Sequence, residues 1–345
     1  MKSLVGAALA TLALTSLASA SVDTPNWLQL DSEIASLNSS LAADGGASVG
    51  GFLRSYYDSN SDANVGGWRF EQLRLNFDGR VEDMKWRVSI ELGSGTAKLQ
   101  DAFVKWKLTD LLGITWGQFK RPNLYAFNVG GGHRLMILPT MNVANQKREA
   151  GAMLNGNVLD DSGHWFLAAF NGTDGTGDDL HLQARAAYDF LGKGGFLQYE
   201  GAVDAPENMA GSVAFAYADD QDPLTGGTSV SADAVVTGKR MYFHAEVIDY
   251  DKDFMGLDKV LVTVPLANTT TLALTASYLV AEDMEVAVRH EDWDDADNST
   301  RLTLGFNFYQ VLQHRAKWSI NYTDLTSDDP ALEAQVFSAG LTLNL

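Results

Sequence analysis

The residues able to do chemistry inform first by how they are scattered. Six histidines, His133, His164, His181, His244, His290 and His314, are spread along the chain. None stands with a serine and an aspartate at a spacing that marks a nucleophile and its base. There is no cysteine, which excludes thiolate metal sites and disulfide frameworks. No cofactor or metal motif is present, and an enzyme is not expected. Fixed charge is the remaining chemistry. A field set up by lysines and arginines acts on passing ions without making bonds.

The basic residues gather in two ways. Between positions 120 and 149, Lys120, Arg121, His133, Arg134, Lys147 and Arg148 stand against one acid, Glu149. A cation in a partly dehydrated passage holds phosphate or carboxylate through charge-assisted hydrogen bonds. This cluster is therefore the candidate anion-binding constriction. A second set, Arg74, Arg87, Lys105, Lys107, Arg185, Arg289, Arg301 and Lys317, falls on the polar side of alternating segments. With the acids Glu91, Asp101, Asp189, Glu246 and Glu285, it forms the candidate lumen wall. The competing reading is that these cations pair with acids and brace a loop.

These positions need strands to hold them. Leu73, Leu75 and Phe77 alternate with Gln72, Arg74 and Asn76, and Trp86, Val88, Ile90 and Leu92 with Arg87, Ser89 and Glu91. The same period of two continues through 101–108, 301–308, 316–322 and 337–345. A ribbon with one apolar and one polar face must set the apolar face against something. A sandwich would hide it between sheets, and a membrane barrel would turn it to lipid. Short turns at 82–83, 238–239 and 281–283 alternate with longer connections at 59–66, 121–147, 171–179, 219–227, 250–268, 292–298 and 325–334. Short on one side and long on the other is the outer-membrane pattern. The spacing predicts an all-β, antiparallel transmembrane β-barrel of 16 strands over 47–345, in line with strands of about ten residues. The connection 121–147 is the longest, and its apolar Leu124, Phe127, Leu135, Met136, Ile137, Leu138 and Met141 predict a third loop packed inward against the wall. The stretch 191–208 is too long for a standard turn on the short side. Aromatics such as Tyr56, Trp68, Trp106, Trp116, Tyr250, Trp293, Tyr309 and Trp318 are expected in interface girdles.

The termini and charge fit the same picture. Residues 1–20 have a basic start at Lys2, an apolar core and Ala18-Ser19-Ala20, which reads as a signal peptide cleaved near Ala20. Residues 21–46 hold a short N-terminal helix over 25–43, with Leu30, Ile34, Leu37 and Leu41 at heptad spacing. It serves as a periplasmic linker or as a short trimerising coiled coil. The formal net charge is −19, from 44 acids against 25 lysines and arginines. That balance excludes nucleic acid as a partner. No apolar run of about 18–20 residues follows the N-terminus, which excludes a helical membrane bundle. The acids crowd the longer connections, as in Asp219-Asp220-Gln221-Asp222 and Glu291 to Asp297. They read as solvated charge, or as a rim bridging divalent cations to lipopolysaccharide.

Residues 72–122 resemble the phosphate-selective porins, the outer-membrane porin O and P type. The matching pieces are L-R-L-N-F-D-G at 73–79, K-L-Q-D-A-F at 98–103 and G-Q-F-K-R-P at 117–122. Further matches are K-R-E-A-G-A-M-L at 147–154, A-F-N-G at 169–172 and G-F-N-F-Y at 305–309. The resemblance implies a trimeric sixteen-stranded barrel of the Gram-negative outer membrane, with the third loop, here 121–147, in the lumen. The chain departs from that pattern in its final Leu345, where such barrels usually end in an aromatic, and in its acidity. The function this implies is passive diffusion of small hydrophilic solutes, preferring anions such as phosphate, with outer-membrane lipid and lipopolysaccharide as surroundings. A non-selective or cation-preferring porin and a structural or adhesive barrel are the alternatives.

Overall fold

A computed structural model of the chain describes residues 36, 39, 47–60, 65–93, 95–109, 111–140, 142, 148–172, 179–192, 199–203, 205–221, 227–251, 270–294, 297–311, 314–330 and 332–345. The expected signal peptide lies outside these residues. So does the expected N-terminal helix, save Ser36 and Ser39, which are helical.

Sixteen strands follow in order: β1 (Ser48–Asn60), β2 (Val65–Val81), β3 (Met84–Glu91), β4 (Lys98–Lys107), β5 (Gly113–Lys120), β6 (Arg148–Val158), β7 (Gly163–Phe170) and β8 (His181–Leu191); then β9 (Ala210–Asp220), β10 (Gly227–Gly238), β11 (Met241–Tyr250), β12 (Thr270–Ala281), β13 (Met284–Asp292), β14 (Thr300–Val311), β15 (Ala316–Thr326) and β16 (Ala334–Asn344). Each pairs antiparallel with its sequence neighbours, and β1 pairs with β16 to close the barrel. In the closing pair Leu53 stands opposite Leu343 and Tyr57 opposite Ala339. Closure leaves no edge strand among the described residues, so each strand is paired on both sides.

The pleat sorts residues by face, in the reverse of a soluble protein. On β13, Val286 and Val288 are exposed outward while Glu285, Arg289 and Glu291 are buried inward. On β15, Trp318, Ile320 and Tyr322 point out while Lys317, Ser319, Asn321 and Thr323 are buried. An apolar band round a whole barrel cannot face water without aggregating, and it matches lipid.

One expectation needs correction. Tyr56, Tyr250, Trp293 and Tyr309 are buried rather than set in an outer girdle. Trp293, for instance, packs with Leu325, Ala334 and Val336. The interior is also not uniformly polar. Tyr125, Val129, Leu135, Met136, Ala202, Val235, Tyr242, Leu279 and Ala287 form one buried apolar cluster with wall residues from β10 to β13. Strand parity decides only which way a side chain points, and here residues of the β5–β6 and β8–β9 connections pack against some of the inward faces.

Candidate functional site

The connection between β5 and β6 holds a four-residue helical turn, Tyr125–Asn128, and a tighter turn, Gly131–His133. Its Leu124, Tyr125, Phe127, Leu135, Met136, Ile137 and Leu138 are all buried. Its backbone groups bond to inward side chains round much of the wall. Arg185 on β8 donates to Asn123 O, and Ala126 N donates to Glu246 Oε2 on β11 at 3.1 Å. Arg289 Nη1 on β13 donates to Leu138 O at 2.8 Å, and Asn307 Nδ2 on β14 to Leu135 O at 2.9 Å. Asn321 Oδ1 on β15 accepts from Ile137 N at 2.7 Å, and Asn344 Nδ2 on β16 donates to Gly132 O at 3.1 Å. Arg54 on β1 donates to Gly131 O at 3.1 Å and to Ile137 O. Gly132 makes the approach possible: a Cβ there would lie 1.9 Å from Asn344 Oδ1.

The cations of the candidate constriction take different roles. Lys120 Nζ donates to three carbonyls, Phe127 O at 2.6 Å, Val129 O at 3.0 Å and Asn128 O at 3.3 Å. It also lies close enough to Arg148, Arg134 and Arg74 to be repelled by each. The Asp101 carboxylate acts on it in the opposite sense. Arg148 Nε holds Asp101 at 2.6 Å, and Arg134 Nη1 is 4.0 Å from Glu71. Arg121 stands apart, buried against Glu149 and His181 at 3.3 Å each. The His133 ring lies 5.5 Å from that of His314. Burial, and then the Lys317 ammonium, pushes the His133 imidazole below its usual range. Lys147 lies outside the described residues.

The wall cations split by side of the barrel. Arg185 pairs with Asp233 at 2.7 Å and Arg301 with Glu291 at 2.5 Å. Arg301 also donates to Pro139 O at 2.8 Å, and Lys317 donates to Arg134 O. With Arg289, these bind the loop to the wall. On the opposite side Arg74 holds Glu91 at 3.0 Å, and Arg87 grips both oxygens of Asp78 at 2.7 and 3.2 Å. Lys105 and Lys107 are exposed, with Lys105 Nζ 5.3 Å from the Phe103 ring centre.

Register adds residues that the sequence reading missed. Arg80 on β2 is directly opposite Lys85 on β3, and Lys85 is opposite Lys105 on β4. All three are exposed, and among the described residues none makes an ion pair within 4 Å. Like charges in facing positions repel, and this row gathers three cations in neighbouring register positions. The parity that assigns Arg74 and Arg87 inward reaches Arg80 and Lys85 one step further along. Arg54 and Glu71, joined at 2.5 Å, were also missed.

No protein-family model matches the chain, and no curated protein matches it. Solved structures do. The outer membrane channel DcaP of Acinetobacter baumannii aligns over 87% of this chain and 98% of its own, with 13% identity and a TM-score of 0.57. An anion-selective porin from Comamonas acidovorans aligns over 87% and 100%, with 12% identity and a TM-score of 0.58. Pseudomonas putida OprB aligns over 89% and 96%, with 11% identity and a TM-score of 0.60. The chain has the fold of the outer-membrane porins.

Proposed function

We propose that the protein is an outer-membrane porin through which small hydrophilic solutes diffuse passively, with a preference for anions. The carrying observation is the imbalance of charge on β2–β4. The acids facing that part of the lumen, Asp78, Glu91 and Asp101, are each held by an arginine. Arg80, Lys85 and Lys105 stand in register beside them with no carboxylate within 4 Å among the described residues. A field of unbalanced cations in a narrow aqueous passage raises the local concentration of anions. That a neighbour of the same fold is an anion-selective porin supports it further.

Several companions belong to this reading. The third loop narrows the pore; residues 1–20 direct export; the chain assembles as a homotrimer; and the outer loops meet lipopolysaccharide. Phosphate, the solute of the family that 72–122 resembles, is the first anion to test. A cation-preferring pore is the second reading, favoured by the net charge of −19. Reversal potential in a planar bilayer under a salt gradient separates the two. The expected sign is that of an anion-permeable pore, with added phosphate reducing chloride current. A cation-selective potential defeats the proposal, and absence of any steady current defeats the channel.

A further inference from the structure

The connection 192–209 joins β8 to β9 at the end of the barrel where other neighbours are joined by tight turns, such as 82–83, 239–240 and 282–283. Residues 199–203 of it pack against the β5–β6 connection and the inward side chains of the wall. Tyr125 Oη donates to Tyr199 O at 2.6 Å, Glu200 N to His133 O at 2.9 Å, and Leu135 N to Glu200 Oε2 at 2.8 Å. The wall is held as well: Arg289 Nη2 is 3.4 Å from Glu200 Oε2, and Ala202 N donates to Glu285 Oε1 at 2.6 Å. Glu200 and Ala202 are 3% and 1% exposed. Gly201 between them has φ +101°, and a Cβ there would meet Glu285 Oε1 at 2.9 Å. That is a close approach in a left-handed conformation, where glycine alone is unstrained.

This stretch and the β5–β6 loop share the apolar cluster that Val235, Tyr242, Leu279 and Ala287 complete from the wall, with Val203 packed against it. A water-filled passage does not hold such a core, since its apolar surface has left water. The inward faces agree. From β12 to β16, Thr275, Arg289, Thr303, Asn321 and Ser338 are all under 5% exposed. From β2 to β6, Ser89, Glu91, Asp101 and Thr115 are buried as well, but toward the tight-turn end Asp78, Arg80, Lys85, Arg87, Lys105 and Asn155 remain open to water, where Asn307, Lys317 and Ser319 on the other side are buried.

We infer that residues 199–203 and the β5–β6 loop form a two-piece plug, inserted from opposite ends, that closes the β8–β16 side of the lumen and confines solute to the β2–β7 wall. The inference deepens the channel reading and rests on it for the passage of solute. It assigns specificity to Arg80, Lys85, Arg87 and Lys105, and removes Arg185, Arg289 and Arg301 from the path.

The cysteine-free chain allows single cysteines to report without background. Asn155→Cys and Lys105→Cys sample the open wall, while Ala287→Cys and the nearly isosteric Ser319→Cys sample the plugged side. Each full-length variant is treated with sulfonatoethyl methanethiosulfonate, in detergent with intact mass as readout and in bilayers with single-channel current. The open-wall variants are expected to gain the reagent's mass and lose roughly half their conductance. The plugged-side variants should gain none and conduct as before. Adding Glu200→Ala to Ala287→Cys removes the acceptor for Leu135 N and the partner of Arg289, and should raise the modification rate at least about tenfold. Modification of Ala287→Cys and Ser319→Cys as fast as Asn155→Cys overturns the plug. Protection that survives Glu200→Ala overturns the part given to 199–203. The mass pattern without current defeats the channel reading and leaves the plug standing.

Discussion

A single cation matters in this lumen according to what already neutralises it. Arg87 and Asp78 form a two-pronged pair, so replacing Arg87 exposes a carboxylate as well as removing a positive charge. Lys85 and Lys105 oppose each other with no acid paired to either among the described residues. Reversing both, Lys85→Glu with Lys105→Glu, is expected to lower the anion-to-cation permeability ratio by roughly fivefold or more, the scale set by a unit charge near a passing ion in water. Reversal potentials check this, and an unchanged ratio removes the row from the path. A second residue-scale effect is set by pH. Burial holds His133 and His314 below the ordinary imidazole value of 6.5, with the Lys317 ammonium adding to it. A depressed value means that the folded state favours the neutral ring. Its contribution to stability is intact above pH 6.5 and is lost as pH falls through the folded value. Lower amide protection factors at 131–134, taken against the intrinsic exchange rate at each pH, are therefore expected below pH 6.5 and not above it, and His133→Gln should flatten that dependence.

At the scale of elements, the β5–β6 loop owes its position to side chains from far along the chain. Arg54, Arg289, Asn307 and Lys317 each spend donors on its carbonyls. A loop carbonyl left without a partner inside the barrel costs more than the bond is worth in water. The close seat at Gly132 is equally demanding. Gly132→Ala would drive a methyl into Asn344, and such overpacking costs about 1–3 kcal/mol. A lower midpoint in thermal unfolding is expected, together with noisier single-channel current as the loop loses its fixed seat. A variant with an unchanged midpoint and quiet current would show that β16 does not position the loop.

For the whole molecule, the reversal of inside and outside sets what environment the fold tolerates. Leu274, near the middle of β12, points outward, while Thr275 beside it is buried. Leu274→Arg puts a charge on the lipid-facing side, where it costs about 2–4 kcal/mol at the bilayer midplane. Unfolding from lipid vesicles by urea should show that loss, whereas an uncharged Leu274→Ala should cost far less. Equal effects would place Leu274 away from the hydrocarbon. The closed sheet also explains why the interior can hold plug segments at all. The wall satisfies its own backbone, so its inward side chains are free to bind inserted loops.

Local pattern made much of this legible. The alternation through 72–92 and 301–322 yields strands and their faces, because the pleat repeats every two residues regardless of what lies across the sheet. The long 121–147 stretch and the overlong 191–208 stretch were visible as departures from turn lengths. What alternation could not show is which partner each inward group meets. That Arg80, Lys85 and Lys105 form one row depends on the register of three strands, and register is a property of pairing. That Glu200 meets Leu135 and Arg289 depends on two connections and a strand that lie 65 and 89 positions apart in the chain. The chain alone determined a barrel turned inside out, since its periodicity is local. The tertiary structure decided which partner each inward group meets, since that depends on packing between residues as far apart as 65 positions for Leu135 and Glu200 and 212 for Gly132 and Asn344.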